Sequence, residues 1–214
     1  MENNLIQKYS ELDKFNVSRE TCAQFEHLVF LILEKNKKKN LISKENANKN
    51  ILRTRHIIDS AQIIDFIDLN YNTTCDIGSG NGMPGLVVAI MLKNMKKKIK
   101  IILYEKSYHK SIFLKEVSKE LDLNTEIIQQ DVFNVSETRP GTVIARAFKP
   151  LPIMLALINK NFSKYKNLVL FMGKNGREVL KKTLERWELE YTEKKSLTNK
   201  DSFLLNIKNA KKLY

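Results

Sequence analysis

Asp76-Ile77-Gly78-Ser79-Gly80-Asn81-Gly82-Met83-Pro84-Gly85 holds four of the chain's seven glycines in ten consecutive residues. The short run Thr74 to Ile77 that leads into it reads as a strand. Pro84 suits the first turn of a following helix, where its missing N–H would have no partner anyway. Glycine has no Cβ, takes positive φ, and lets main-chain N–H groups face a crevice that a side chain would fill. The stretch therefore reads strand, tight turn, helix, with a ligand expected against the turn. From Met1 to Ile77 there is neither glycine nor proline, so the loop also marks a change of architecture.

Upstream of it, apolar residues recur at helical spacing: Leu5, Tyr9 and Leu12, then Cys22, Phe25, Val29 and Ile32, then Ile57, Ala61 and Ile64. Downstream the pattern alternates. Strands are expected over Thr74–Ile77, Ile99–Tyr104, Glu126–Gln129, Thr142–Ala145 and Leu168–Met172, and helices over Pro84–Lys93, His109–Leu121, Pro152–Asn161 and Glu178–Trp187. Two last strands, near Leu189–Lys194 and Phe203–Ile207, lie close enough to form a hairpin on one edge. Alternating β and α over this length implies an α/β fold, a doubly wound parallel sheet covered on both faces.

A chain of 214 residues, 43% hydrophobic, can bury one sizeable core. Cys22 and Cys75 are too few and too far apart to be a disulfide framework and fit a reduced cytoplasmic setting. The longest apolar run, Leu86 to Leu92, is far short of the roughly 20 residues that span a bilayer. No apolar signal-peptide core follows Met1, and no membrane partner is expected. Thirty-seven Lys and Arg against 24 Asp and Glu leave a formal net charge of +13, the electrostatic footprint of a polyanion binder. The excess is concentrated in Lys35, Lys37, Lys38, Lys39, Lys44, Lys49, Arg53 and Arg55, opposed within that block only by Glu45. A second cluster, Lys93 to Lys100, reads as a solvated helix-to-strand connection.

In a doubly wound sheet the ligand sits outside the carboxyl ends of the strands where the winding reverses. Those ends carry Asp76, Gly78 and Gly80 after the first strand, Glu105 after the second, and Asp131 with Val132 and Phe133 after the third. Arg146 follows the fourth and Lys174 the fifth. An acid after the second strand is placed for ribose hydroxyls, which asks for an adenosine-containing ligand. Two cofactors compete. Gly80, Gly82 and Gly85 match G-x-G-x-x-G, which would rest a nicotinamide dinucleotide's pyrophosphate on the helix. Asp76 ahead of the first glycine would repel a phosphate and favour the cationic amino-acid end of S-adenosylmethionine, directly or through water.

For methyl transfer, the loop after the fourth strand limits the chemistry. Arg146-Ala147-Phe148-Lys149-Pro150 lacks the Asn/Asp-Pro-Pro-aromatic string that holds an exocyclic amine. Carbon methylation of a pyrimidine needs a thiolate nucleophile, and both cysteines lie on apolar faces. An atom that is already nucleophilic remains, and guanine N7 qualifies because it needs no general base. Alignment of the methyl group with that lone pair would then be the main catalytic task. A nicotinamide-dependent oxidoreductase and a noncatalytic RNA-binding scaffold are the alternatives.

Asn40-Leu41, Arg55-His56-Ile57-Ile58-Asp59-Ser60, the glycine loop, Phe113-Leu114 and Ala145-Arg146-Ala147 together resemble the glucose-inhibited division protein B family. Its members are bacterial methyltransferases that form 7-methylguanine in the 530 loop of 16S rRNA. The resemblance implies a class I S-adenosylmethionine-dependent methyltransferase, with a Rossmann-like domain over residues 71–214 and a helical N-terminal extension over 1–70. It implies cofactor contacts at Gly78, Met83, Val132, Phe133 and Arg146, beside Asp76, Gly80, Glu105 and Asp131 from the strand ends. It also implies a substrate side formed by Arg55, His56 and Lys174, with no metal. Asp59 and Ser60 complete the signature before the sheet, and Asn175 stands where the family has a glycine after the lysine. The expected partner is 16S rRNA or the small ribosomal subunit, bound by a monomer.

Overall fold

The computed structural model describes residues 4–213. A short turn of helix, α1 (Asn4–Gln7), and a tight 3-10 turn (Ser10–Phe15) lead into α2 (Arg19–Asn36). Ser18 starts α2 by accepting the Thr21 N–H on its hydroxyl at 3.2 Å, which satisfies one of the free donors of a helix start. A second helical run covers residues 49–66. It is built from α3 (Lys49–Ile51), a wide π turn (Leu52–Ile58), α4 (Asp59–Ala61) and a 3-10 turn (Gln62–Phe66).

The sheet begins with β1 (Thr73–Ile77), followed by α5 (Gly85–Asn94), β2 (Lys100–Tyr104), α6 (Tyr108–Glu120), β3 (Thr125–Ile128) and β4 (Thr142–Ala145). Then come α7 (Leu151–Asn161), β5 (Asn167–Met172), α8 (Gly176–Leu184), β6 (Trp187–Lys195) and β7 (Phe203–Lys212). Strand order is β3-β2-β1-β4-β5-β7-β6. The first five strands are parallel, whereas β7 runs antiparallel between β5 and the edge strand β6. The winding reverses between β1 and β4, so the loops after these two strands face one another across a crevice.

Two differences from the sequence reading have local causes. The helix expected to reach Trp187 stops at Leu184, because the Trp187 side chain is buried and its backbone pairs with Lys212 in the closing hairpin. That hairpin is longer than expected, since β7 continues through the lysine-rich residues 208–212. Its far end pairs only with the edge strand, where one face stays in water and tolerates lysine.

α5 is buried on every side from Gly85 to Leu92. A helix without a polar face must be covered twice. The sheet covers one side and α2 and the 49–66 run cover the other, so the extension shares a core with this face of the sheet. The opposite face packs α7, α8 and the hairpin around Phe162, Leu168, Trp187 and Leu205. Cys22 and Cys75 are free thiols inside these cores, and burial pushes them up to about 11 and about 12. Neither supplies a thiolate nucleophile near neutral pH. Among the described residues no helix is long and apolar enough to cross a membrane.

Candidate active site

The glycine loop turns back on the end of β1 with Gly78, Gly80 and Gly82 at φ of 71°, 58° and 93°. Its first three donors are already engaged by the protein. Gly78 and Ser79 both donate to the carbonyl of Tyr104 at 3.0 Å, and Gly80 donates to Glu105 Oε2 at 2.8 Å. The expectation that these N–H groups face a ligand is therefore corrected. What the glycines supply is closeness of backbone, and the N–H groups lock the loop to β2.

Asp76 also sits differently from the sequence reading. It is 1% exposed, points under the loop, and accepts the Gly85 N–H at 2.9 Å. Its carboxylate thus occupies the start of α5, the place where a dinucleotide's pyrophosphate would rest. That occupancy disfavours the nicotinamide reading by excluding a second anion from the same helix end. Burial pushes Asp76 up to about 7, with the Glu105 charge adding to the rise while hydrogen bonds to the carboxylate oppose it. Among the described residues its Oδ1 has no hydrogen-bond partner.

Above the loop lies a crevice of about 310 Å³ whose walls include Gly78, Gly80, Glu105, Asp131, Val132 and Phe133. Glu105 is 7% exposed and accepts the Ser107 N–H on Oε1 at 2.7 Å besides that of Gly80. Each carboxylate oxygen keeps a second lone pair, so the pinned acid can still accept from ribose hydroxyls. Asp131 holds its own turn by accepting the Phe133 N–H at 3.2 Å and lies 3.7 Å from Lys106 Nζ. Bare backbone, a fixed acid after β2, a second acid after β3 and apolar walls at Val132 and Phe133 match the chemistry of an adenosine and a methionine chain.

Met83 and Arg146, also expected at the cofactor, do not line this crevice. Met83 is 5% exposed in the core beneath the loop, since the turn directs residue 83 inward toward α5. The Arg146 guanidinium turns toward the helical extension and lies 3.2 Å from Asp59 Oδ2. It also donates to the carbonyl of Arg55 and covers the Phe171 ring at 5.0 Å. Arg55, His56, Asp59, Ser60 and Arg146 are thereby gathered at the end of β4. Lys174 lines a neighbouring crevice of about 400 Å³, together with Ala145, Phe148, Phe171 and Gly173.

Phe148 is the residue the sequence reading missed. Its ring belongs to the walls of both crevices, stacks on Phe133 with centroids 6.2 Å apart, and stands against Gly78. A Cβ at position 78 would lie 2.1 Å from its Cδ2, so the first glycine is required by an aromatic ring as well as by its φ. The signal available was its place in the loop after β4. Lys106, Lys110 and Lys149, which add positive charge to the crevice over the glycine loop, were missed as well.

His56 is pushed down to about 4, by burial first and then by the cations of Arg146 and Arg55. It is neutral at physiological pH and offers a hydrogen bond, not a charge. Of the basic block, Lys35 pairs with Glu116, Lys37 with Glu34 and Arg53 with Glu26. Lys38, Lys39, Lys44, Lys49 and Arg55 have no ion-pair partner among the described residues.

A family model described as GidB, rRNA small subunit methyltransferase G, matches residues 21–206. The chain is 53% identical over 208 residues to the ribosomal RNA small subunit methyltransferase G of Pelagibacter ubique, covering 97% of this chain and 98% of that one. Among solved structures it resembles the 16S rRNA methylase RmtB, with a TM-score of 0.53 and 15% identity, over 87% of this chain and 74% of that one. It also resembles the Pyrococcus abyssi tRNA (uracil-54, C5)-methyltransferase in complex with S-adenosyl-L-homocysteine, at a TM-score of 0.50 and 13% identity. There it covers 71% of its own length and spans 37% of the other chain. These two likenesses concern the fold alone.

Proposed function

The chain belongs to the GidB family of rRNA small subunit methyltransferase G proteins, and from that premise we propose that it methylates N7 of a guanine in the 530 loop of 16S rRNA. The observation that carries this reading is the crevice over Gly78 and Gly80, with Glu105 pinned to the loop and Asp76 closing the helix end against a phosphate. When bound, S-adenosylmethionine supplies the methyl carbon, whose bond to sulfur breaks as the guanine N7 lone pair forms the new bond and the positive charge passes to the base.

The protein's own work is placement. Gly78, Gly80, Glu105, Asp131, Val132 and Phe133 hold the cofactor, with Asp76 supporting the loop from below. Arg55 and Lys174 are exposed cations that can grip phosphate or the guanine O6 edge. His56, neutral and half-buried, contributes a hydrogen bond and removes no proton. The helical extension and the sheet domain, divided near residue 70, act as one monomeric body on the rRNA or on the small subunit.

The test is direct. Guanines of 16S rRNA from cells lacking the protein are mapped by mass, and the purified protein with labelled S-adenosylmethionine must restore one methyl group at N7. An unchanged methylation map removes the proposal. Calorimetry separates the alternatives, because a scaffold need not bind S-adenosylmethionine and an oxidoreductase would bind a nicotinamide carrier instead.

A further inference from the structure

Arg146 is a largely buried cation, and everything that fixes it comes from distant parts of the chain. Its Nη2 lies 3.2 Å from Asp59 Oδ2, and Nη1 is 3.5 Å from Ser60 Oγ. Asp59 is 8% exposed and accepts two further bonds on Oδ1, from Gln62 Nε2 at 2.6 Å and from Ser196 Oγ at 2.8 Å. Ser196 lies just past β6, in the turn of the closing hairpin. Its oxygen accepts the N–H groups of Thr198 and Asn199 at 3.1 and 3.3 Å, which leaves the hydroxyl proton directed at Asp59. Lys194, two residues earlier, anchors the same hairpin on Asp65 of the extension.

What this network holds is the carbonyl of Arg55, to which Arg146 donates. Arg55 lies inside the wide turn Leu52–Ile58. Such a turn carries one residue more than an α turn, and it is rare and frequently found at functional sites. Relaxing it to α geometry would shift the register by one residue, which rotates a side chain by about 100° around the helix axis. Arg55 and His56 would then face a different direction. The donor to the Arg55 carbonyl comes from the end of β4, two residues before Phe148, the ring shared by both crevices.

We propose that Asp59 and Ser196 are positioning residues for the transfer reaction: through Arg146 they seat the wide turn, and so aim Arg55 and His56 at the substrate side of the site. The inference rests on the methyltransferase reading for its kinetic consequences, while its structural part can be read without any activity. The hairpin thereby contributes to the site without touching substrate.

Three variants of the full-length protein test it: Asp59→Asn, Ser196→Ala and the double variant. Asp59→Asn takes the charge from a buried pair, so kcat on 16S rRNA should fall by about 100-fold or more. Ser196→Ala removes one hydrogen bond to a charged group, and a fall of about tenfold is expected. The double variant should be no slower than Asp59→Asn alone, because the serine acts through the aspartate. Calorimetry should find S-adenosylmethionine affinity within about threefold of wild type in all of them, a shift too small to reflect loss of a charged contact. Amide hydrogen exchange at residues 52–60 should accelerate in Ser196→Ala, with the remainder of the chain unchanged. If Asp59→Asn does not fold, Ser196→Ala decides alone. Wild-type kcat and wild-type exchange in folded Ser196→Ala overturn the proposal, as does a parallel loss of cofactor binding. A wild-type protein that fails to methylate 16S rRNA would sink the functional reading while leaving the exchange result to judge the positioning network.

Discussion

The Oδ2 of Asp76 accepts the N–H of Gly85 at 2.9 Å, so the residue one before the end of β1 also caps the start of α5. A Cβ at position 85 would stand 2.5 Å from that same oxygen. Strand, loop and helix are thus closed on one another by a carboxylate that no solvent reaches.

A pH dependence of stability follows from that burial. Asp76 titrates near 7 in the fold against an ordinary 3.8. Well below pH 3.8 both states are protonated and the group contributes nothing. As pH rises toward 7, ionisation favours the unfolded chain, and the fold loses on the order of a few kcal/mol. Asp76→Asn keeps an oxygen for Gly85 and cannot ionise. Thermal melts at about pH 5 and about pH 8 should show a smaller drop for Asp76→Asn than for wild type. Identical drops would contradict the assignment.

Gly78 is constrained twice, by a φ of 71° and by the Phe148 ring. Gly78→Ala should weaken S-adenosylmethionine binding by about tenfold or more, given the roughly 1–2 kcal/mol of backbone strain and the added clash. Gly78→Ala/Phe148→Ala removes the clash and leaves the strain, so it should recover part of that affinity. Calorimetry reads both values. A double variant no better than Gly78→Ala would mean that the ring does not press on the loop.

His56 is held down to about 4 against an ordinary 6.5. The unfolded imidazole takes a proton first on acidification, so His56's contribution is complete above pH 6.5 and is lost as the pH falls toward about 4. His56→Gln should flatten this part of the stability profile. Proton NMR of the ring should show no titration between about pH 8 and about pH 5. An inflection near pH 6 would show a solvated imidazole instead.

The lysines with no ion-pair partner among the described residues and the paired ones should behave differently toward RNA. Neutralising Lys38, Lys39 and Lys44 together should reduce the slope of log affinity against log salt by about 0.7–0.9 for each phosphate that these lysines neutralise. Lys35→Met should change the slope less, because Lys35 lies 2.5 Å from Glu116. Filter binding to a 16S rRNA fragment over a salt series checks this. Equal slopes for both variants would remove the basic block from the interface.

The parallel sheet, its terminal hairpin and the crevice over the glycine loop were legible because local signals carry them. Glycines collect where backbone must turn at positive φ, and apolar period changes where helix gives way to strand. Gly78, Gly80, Glu105, Asp131, Val132 and Phe133 all fall at strand ends that topology alone brings together. Side-chain direction was not legible. Asp76 and Arg146 stand at the right ends of the right strands, yet one turns under the loop and the other toward the extension. In both cases the nearest compensating partner decides, because burying an unpaired donor or charge costs more than redirecting a side chain.

The order of elements, the family motifs and the crevice at the ends of β1, β2 and β3 could be read from the chain alone, since periodicity, glycine spacing and short motifs are properties of neighbouring residues. Tertiary packing instead set Phe148 against Gly78 and brought Glu116 to Lys35 and Glu26 to Arg53. It likewise decided that Ser196, 137 positions from Asp59, helps hold the turn bearing Arg55. Such contacts join residues far apart in the chain, and packing selects them only after the sheet has brought their elements together.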